Sequence, residues 1–172
     1  LHLAPDPEQT RDLIDSGAVC IAYETVTSPL GGLPLLAPMS QVAGRLSIQA
    51  GAHCLEKAHG GRGVLLAGVP GVESAEVVVI GGGVVGENAI RMALGTLANV
   101  TVLDRNVDLL ADLSRRYADR GLNTVYSSTA TLERYVLAAD LVIGGVLVQG
   151  AAAPKLVTHE HVRAMRKGAV LV

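Results

Sequence analysis

Three glycines, Gly81, Gly83 and Gly86, stand at the spacing G-x-G-x-x-G in the stretch "VVVIGGGVVGENA". Four apolar residues precede them and a segment with helical periodicity follows, which predicts a strand, a tight turn and a helix. In that setting each glycine has its own task. Gly81 allows the turn, Gly83 lets a pyrophosphate approach the backbone, and Gly86 lets helix and strand pack closely. The phosphates would face free N–H groups at the helix N-terminus, where the macrodipole favours negative charge. Asp104 ends the next apolar run, 18 residues after Gly86. A carboxylate there can take both ribose hydroxyls of an adenosine, which favours NAD over NADP because a 2′-phosphate would meet like charge. Arg105 follows directly and could soften that discrimination.

Other groups at strand ends can extend such a pocket. Ser127 and Ser128 follow one expected strand, and the loop from Gly144 to Gly150 follows another. A serine in this place is equally an ordinary helix cap. Histidine is the usual proton shuttle near neutral pH, and among the five histidines only His2 is expected near a strand end. His159 and His161 are two apart and fall on different faces of a helix, so "HEH" does not read as a zinc site. His53 and His59 complete no metal signature either. Walker A and G-x-S-x-G patterns are absent from the sequence.

The elements that must position these residues follow from periodicity. After a strand stub, "LHLA", a short helix is expected with Asp6 as cap, Pro7 in the first turn and Gly17 at the stop. "AVCIAYETV" reads as a strand. "TSPLGGLPLLAP", with three prolines and two glycines in twelve residues, reads as a connector and a domain boundary near residue 36. A long helix, capped by Ser40, then carries Ala43, Gly44, Ala50 and Gly51 in a stripe seven residues apart, where another backbone can come close. From Glu76 onward strands and helices alternate five times. That pattern predicts an α/β fold: a Rossmann-type, doubly wound parallel sheet with right-handed crossovers, joined to the stub of a second α/β domain at the N-terminus.

Composition agrees. The 172 residues include no Phe, no Trp and four Tyr, while 49% are apolar, so Val, Leu and Ala must fill a sheet buried on both faces. A net charge of −2 without long charge runs argues against a nucleic-acid footprint and a polybasic membrane patch. The sequence contains no apolar stretch of about 18 residues that could span a bilayer. Cys20 and Cys54 are too few for a disulfide framework and read as small buried hydrophobes in a reducing compartment. The start at Leu1 and the end on "GAVLV" suggest a piece of a longer protein.

Five stretches together resemble the alanine dehydrogenase and nicotinamide nucleotide transhydrogenase family: "LLAPMSQVAGRLSIQAGA", "GGRGVLLAGVPGV", "GGGVVGENAIRMA", "VTVLDRN" and "ADLVIGGVLVQGAAAPKLV". The likeness runs the length of the chain and points to the alanine dehydrogenases. It implies NAD-dependent interconversion of L-alanine with pyruvate and ammonium by a cytoplasmic homo-oligomer, a hexamer in the family. It implies that His2 in "LHLA" is the catalytic acid/base histidine. By the same resemblance Ser40, Val84, Val85, Asp104, Ser127, Val146 and Leu147 match cofactor contacts; they join Gly81, Gly83 and Gly86, with Arg105 beside Asp104.

There are departures. A family lysine near the adenosine end falls at Leu109, and the family's "GGVPGV" here begins with Ala67. The arginine and lysine that grip the substrate in the family would precede Leu1, and a second catalytic aspartate would follow Val172. The expectation is therefore a chain that binds NAD and turns over slowly or not at all by itself. Two other readings stay open: the NAD(H)-binding component of a transhydrogenase, and a non-catalytic NAD-binding module.

Overall fold

A computed structural model describes Leu3, residues 6–146 and residues 155–172. Two of the expected site residues, His2 and Leu147, lie outside the described residues, as does most of the "LHLA" stub. The centre of the fold is a five-stranded parallel sheet: β1 (Glu76–Ile80), β2 (Asn99–Asp104), β3 (Asn123–Tyr126), β4 (Leu141–Gly144) and β5 (Val170–Leu171). Its order is β3-β2-β1-β4-β5. Ile80 pairs with Leu103 on one side and Gly144 on the other, so the three central strands end level.

The alternation of side chains along β1 divides the core in two. Val77 and Val79 face one layer, built with Ile48, Ile90 and Leu113. Val78 and Ile80 face the other, built with Leu132 and Val136. The first layer belongs to helices α2 (Ala37–Cys54), α3 (Val84–Gly95) and α4 (Val107–Arg116), and the second holds α5 (Thr129–Ala138). Met165, just after α6 (His159–Ala164), packs on the second layer. Helices therefore cover both faces, and the sheet is doubly wound. No helix among the described residues is long and apolar enough to cross a membrane.

Local chemistry explains most element ends. Asp6 caps α1 (Pro7–Asp15) by accepting the Gln9 N–H at 2.9 Å. Asn106 caps α4, and Ser128 and Thr158 form capping boxes with Thr131 and His161. Ser40 is not the cap expected of it. Helix α2 begins three residues earlier, because Pro38 suits a first turn whose N–H groups have no partner, and the Ser40 N–H bonds the Leu36 carbonyl at 3.0 Å.

A second expectation also fails. "AVCIAYETV" forms no strand; it is extended chain around a short 3₁₀ turn at Tyr23–Thr25. Val19 and Ile21 are 92% and 74% exposed; Cys20 between them, and Cys54 at the end of α2, are exposed rather than buried as expected. β-branched residues favour strands through a partner edge and a face to bury, and the described residues offer this segment neither.

At the edge of the sheet opposite the strand C-termini, Asp140 ties three segments together. The buried carboxylate accepts the Glu76 N–H at 2.9 Å and the Arg166 Nη1–H at 3.3 Å. Arg62 Nε lies 2.8 Å from Asp140 Oδ1, an ion pair by distance whose N–H is poorly aligned for a hydrogen bond. This cluster fixes the start of β1 and the approach to β5, and through them the register on which the other end of the sheet depends.

Candidate functional site

The turn after β1 is built as the glycine spacing requires. Gly81 has φ +94°, and its N–H donates to the Leu103 carbonyl at 2.8 Å. A side chain at Gly86 would place its Cβ 1.8 Å from the Gly81 carbonyl oxygen, so strand and helix touch there through backbone. At Gly83 the situation is the reverse: an added Cβ would meet nothing within 4 Å. Gly83 is the N-cap of α3 and supplies no side chain to the first N–H groups of that helix. Val84 and Val85, the first residues of that helix, line a cavity.

Asp104, at the end of β2, closes the loop from the side. Its Oδ2 accepts the Gly82 N–H at 2.7 Å and its Oδ1 accepts the Asn106 N–H at 2.8 Å. Each carboxylate oxygen keeps a further lone pair for another donor. One more carboxylate, Glu87, lies in the first turn of α3 but is neutralised by its neighbours. It pairs with Arg116 and, at 3.7 Å, with Arg91, and it accepts the Tyr117 hydroxyl at 3.2 Å. The hydrogen bond to Glu87, with Asp112 nearby, raises the Arg116 pKa above its ordinary value. The helix terminus therefore stays favourable to an anion.

Above the loop lies a cavity of about 800 Å³. Ser40, Gly81, Gly83, Val84, Val85, Asp104, Arg105, Ser127 and Val146 all border it. Gly86 lies behind the turn, where it permits packing. Ser127 also donates its N–H to the Asp104 carbonyl at 2.8 Å, while Ser128 is taken up by its helix cap. Arg105 is exposed and makes no ion pair among the described residues.

The cavity has walls that sequence reasoning did not find. Gly32, Leu33 and Leu36, from the segment read as a plain connector, cover one side. Leu156 contributes as well, and so does Leu109, the position at which the resemblance places a family lysine near the adenosine end. The only signal for the connector was its unusual run of leucines between turn residues. The cavity sits where β1 and β4 diverge to opposite crossovers, the switch point at which open α/β sheets place ligands. It is large enough for a dinucleotide-sized ligand.

Away from it, His53, Glu56 and His59 gather on the surface at the end of α2, with candidate ligand atoms within 4.8 Å of one another. The ring centroids of the two histidines are 3.8 Å apart. Sequence spacing did not foresee this grouping, which depends on the 3₁₀ turn Lys57–His59 folding back on the helix end.

The family model described as alanine dehydrogenase/PNT, C-terminal domain, matches residues 47–172. The chain belongs to this family. Among curated alanine dehydrogenase/PNT relatives, the alanine dehydrogenase of Halomonas elongata is 62% identical over all 172 residues. That of Mycobacterium tuberculosis is 58% identical over the same span. In both cases this chain spans 46% of the relative's length. A solved L-alanine dehydrogenase superposes with TM-score 0.88 at 51% identity, covering 99% of this chain and 47% of that one. A transhydrogenase from Sinorhizobium meliloti gives TM-score 0.64 at 26% identity, covering 79% of this chain and 38% of that one.

Proposed function

We propose that this chain is the NAD(H)-binding part of an alanine dehydrogenase, which interconverts L-alanine with pyruvate and ammonium. The observation that carries the reading is the joint placement of the glycine turn and Asp104 on one cavity, with Gly82 hydrogen-bonded to Asp104 at 2.7 Å. The dinucleotide fits the residues present. Gly83 leaves the helix N-terminus uncovered for the pyrophosphate, and Asp104 has acceptor capacity left for ribose hydroxyls. Ser40, Val84, Val85, Arg105, Ser127 and Val146 would form its walls, and Leu147 is assigned to the cofactor by the resemblance alone. The identities of 62% and 58% to alanine dehydrogenases, against 26% to the transhydrogenase, support the first reading over the second.

Bound NAD supplies a nicotinamide ring that takes hydride from the alanine Cα or returns it. The protein's share of the work is placement and proton handling. The turn and Asp104 hold the adenosine and phosphates and so set where the reacting ring lies. Leu33, Leu36 and Val146 give the cavity apolar walls, which would limit water around the bound cofactor. His2 is assigned the proton transfers, to and from the carbinolamine formed when water adds to the imine. In this reading residues 1–36 end the substrate-binding, catalytic domain and residues 37–172 are the cofactor domain, in a cytoplasmic homohexamer.

The test is NADH oxidation driven by pyruvate plus ammonium, in the protein that carries this chain. The reading expects NADH-dependent turnover that is lost in His2→Gln while NADH binding is retained. Turnover unaffected by His2→Gln contradicts the assignment of His2. Absence of NADH binding contradicts the reading as a whole.

A further inference from the structure

The "VAGR" stretch of α2 is among the most distinctive pieces of the sequence, yet of this helix only Ala37 and Ser40 line the main cavity. Its glycine and arginine both act on the first turns of α3. A Cβ at Gly44 would lie 2.1 Å from the Val85 carbonyl oxygen and 2.9 Å from the Asn88 Cβ, so α2 rests directly on α3 at this point. The next residue, Arg45, donates Nε–H to Asn88 Oδ1 at 3.0 Å. Asn88, only 9% exposed, donates Nδ2–H to the Val84 carbonyl at 2.9 Å. Ser47 holds the α2 side in place through its hydroxyl, which donates to the Gly44 carbonyl at 2.8 Å.

Val84 and Val85 border the main cavity, and Val84 opens α3 immediately after Gly83. Arg45 does not reach that cavity. It borders a smaller one of about 370 Å³, which adjoins the first and is also lined by Gly82, Gly83 and Val84. Its side-chain hydrogen bond goes to Asn88, and through Asn88 it is tied to the Val84 carbonyl. A buried amide with one acceptor and one donor engaged is a stiff link, because any rotation breaks both bonds.

We propose that Arg45 is a positioning residue for the cofactor: through Asn88 it holds the Val84 carbonyl, and so sets the direction of the N–H groups that meet the dinucleotide phosphates. This rests on the NAD(H) reading above. The relay joins the two helices independently of the sheet, so it can set the first turn of α3 without altering the Asp104 end.

Arg45→Ala, Arg45→Lys, Asn88→Ala and the double variant Arg45→Ala/Asn88→Ala separate the possibilities, with NADH and adenosine as ligands. Arg45 is exposed, and Arg45→Ala should leave the fold intact, its melting temperature moving by no more than about 3 °C. NADH affinity should fall about tenfold in Arg45→Ala, the scale of one charge-assisted hydrogen bond. Adenosine, which reaches only the Asp104 end, should bind as before. Arg45→Lys should not rescue, since an ammonium lacks the planar Nε donor. In the Asn88→Ala background, removal of Arg45 should cost nothing more.

Equal losses for NADH and adenosine, accompanied by a large drop in melting temperature, would make Arg45 merely structural and overturn the proposal. An Arg45→Ala loss that persists in full without Asn88 would mean direct contact with the ligand and overturn it equally. Should Asn88→Ala not fold, Arg45→Ala and Arg45→Lys decide through the split between NADH and adenosine. No NADH binding by the unsubstituted chain overturns the dinucleotide reading, and the relay falls with it.

Discussion

The Gly82 N–H and Asp104 Oδ2 are 2.7 Å apart, so the glycine turn and the carboxylate proposed to hold ribose are one hydrogen-bonded unit. The second oxygen, bonded to the Asn106 N–H at 2.8 Å, anchors that unit to the start of α4. Pre-organisation of this kind lowers the ordering cost of binding. Asp104 thus shapes the turn, and in the proposed reading it takes recognition of the ribose as a second task.

Asp104→Asn should weaken both tasks. The amide keeps one acceptor but turns a donor toward one of the two backbone N–H groups, and it loses the charge that repels a 2′-phosphate. We expect NADH affinity to fall about tenfold or more and NADPH affinity to fall less, bringing the two together. Parallel titrations measure the ratio, and an unchanged preference for NADH would remove Asp104 from the recognition of ribose.

Gly83→Ala and Gly86→Ala should behave in opposite ways. At Gly83 an added Cβ meets no protein atom within 4 Å and φ is −65°, so stability should hold or rise by about 0.5 kcal/mol. NADH affinity should nonetheless drop sharply, because the methyl group takes the space assigned to the pyrophosphate. At Gly86 the Cβ falls 1.8 Å from the Gly81 carbonyl oxygen, and neither backbone can yield. Loss of about 2–3 kcal/mol, within the range of overpacked sites, is expected there. Thermal melts with and without NADH distinguish the pair.

Gly44→Ala tests the packing of the two helices. The Cβ would lie 2.1 Å from the Val85 carbonyl oxygen, so α2 must move away from α3. A cost of about 1–3 kcal/mol is expected, with weaker NADH binding as the first turn of α3 shifts. A fully stable Gly44→Ala protein with native affinity would show that the close approach is not needed.

Asp140→Ala should destabilise the protein without touching the cavity chemistry. It leaves the Glu76 N–H without its partner and two arginines without their counter-charge. Arg62 and Arg166 keep 28% and 42% exposure, so water relieves part of the loss. About 2–3 kcal/mol is expected from the buried N–H and the broken pairs together. Denaturant unfolding gives the value directly, and a change below about 0.5 kcal/mol would deny the cluster its role.

The order of residues along the chain makes much of this legible. The apolar runs of the central strands are buried on both faces, and such runs announce a parallel sheet through composition alone. The glycine spacing and Asp104 are legible because backbone geometry restricts which residues can stand there. The segment at residues 18–26 misleads, since its β-branched residues express a preference that only a neighbouring strand can satisfy. Ser40 misleads because Pro38 competes for the same helix start. The contact of Gly82 with Asp104 and the relay from Arg45 to Asn88 join residues 22 and 43 positions apart. No local pattern encodes such pairings; the crossing of elements creates them.

The central claim is that the glycine turn and Asp104 hold NAD(H). Titration of NADH into the chain, with NADPH in parallel, tests it most directly. The absence of Trp leaves little protein emission to interfere with nicotinamide fluorescence. The account predicts saturable binding of NADH with clear preference over NADPH, lost in Gly83→Ala although that variant melts as the unsubstituted chain does. Absence of NADH binding to the folded chain, or binding that Gly83→Ala leaves unchanged, would contradict it.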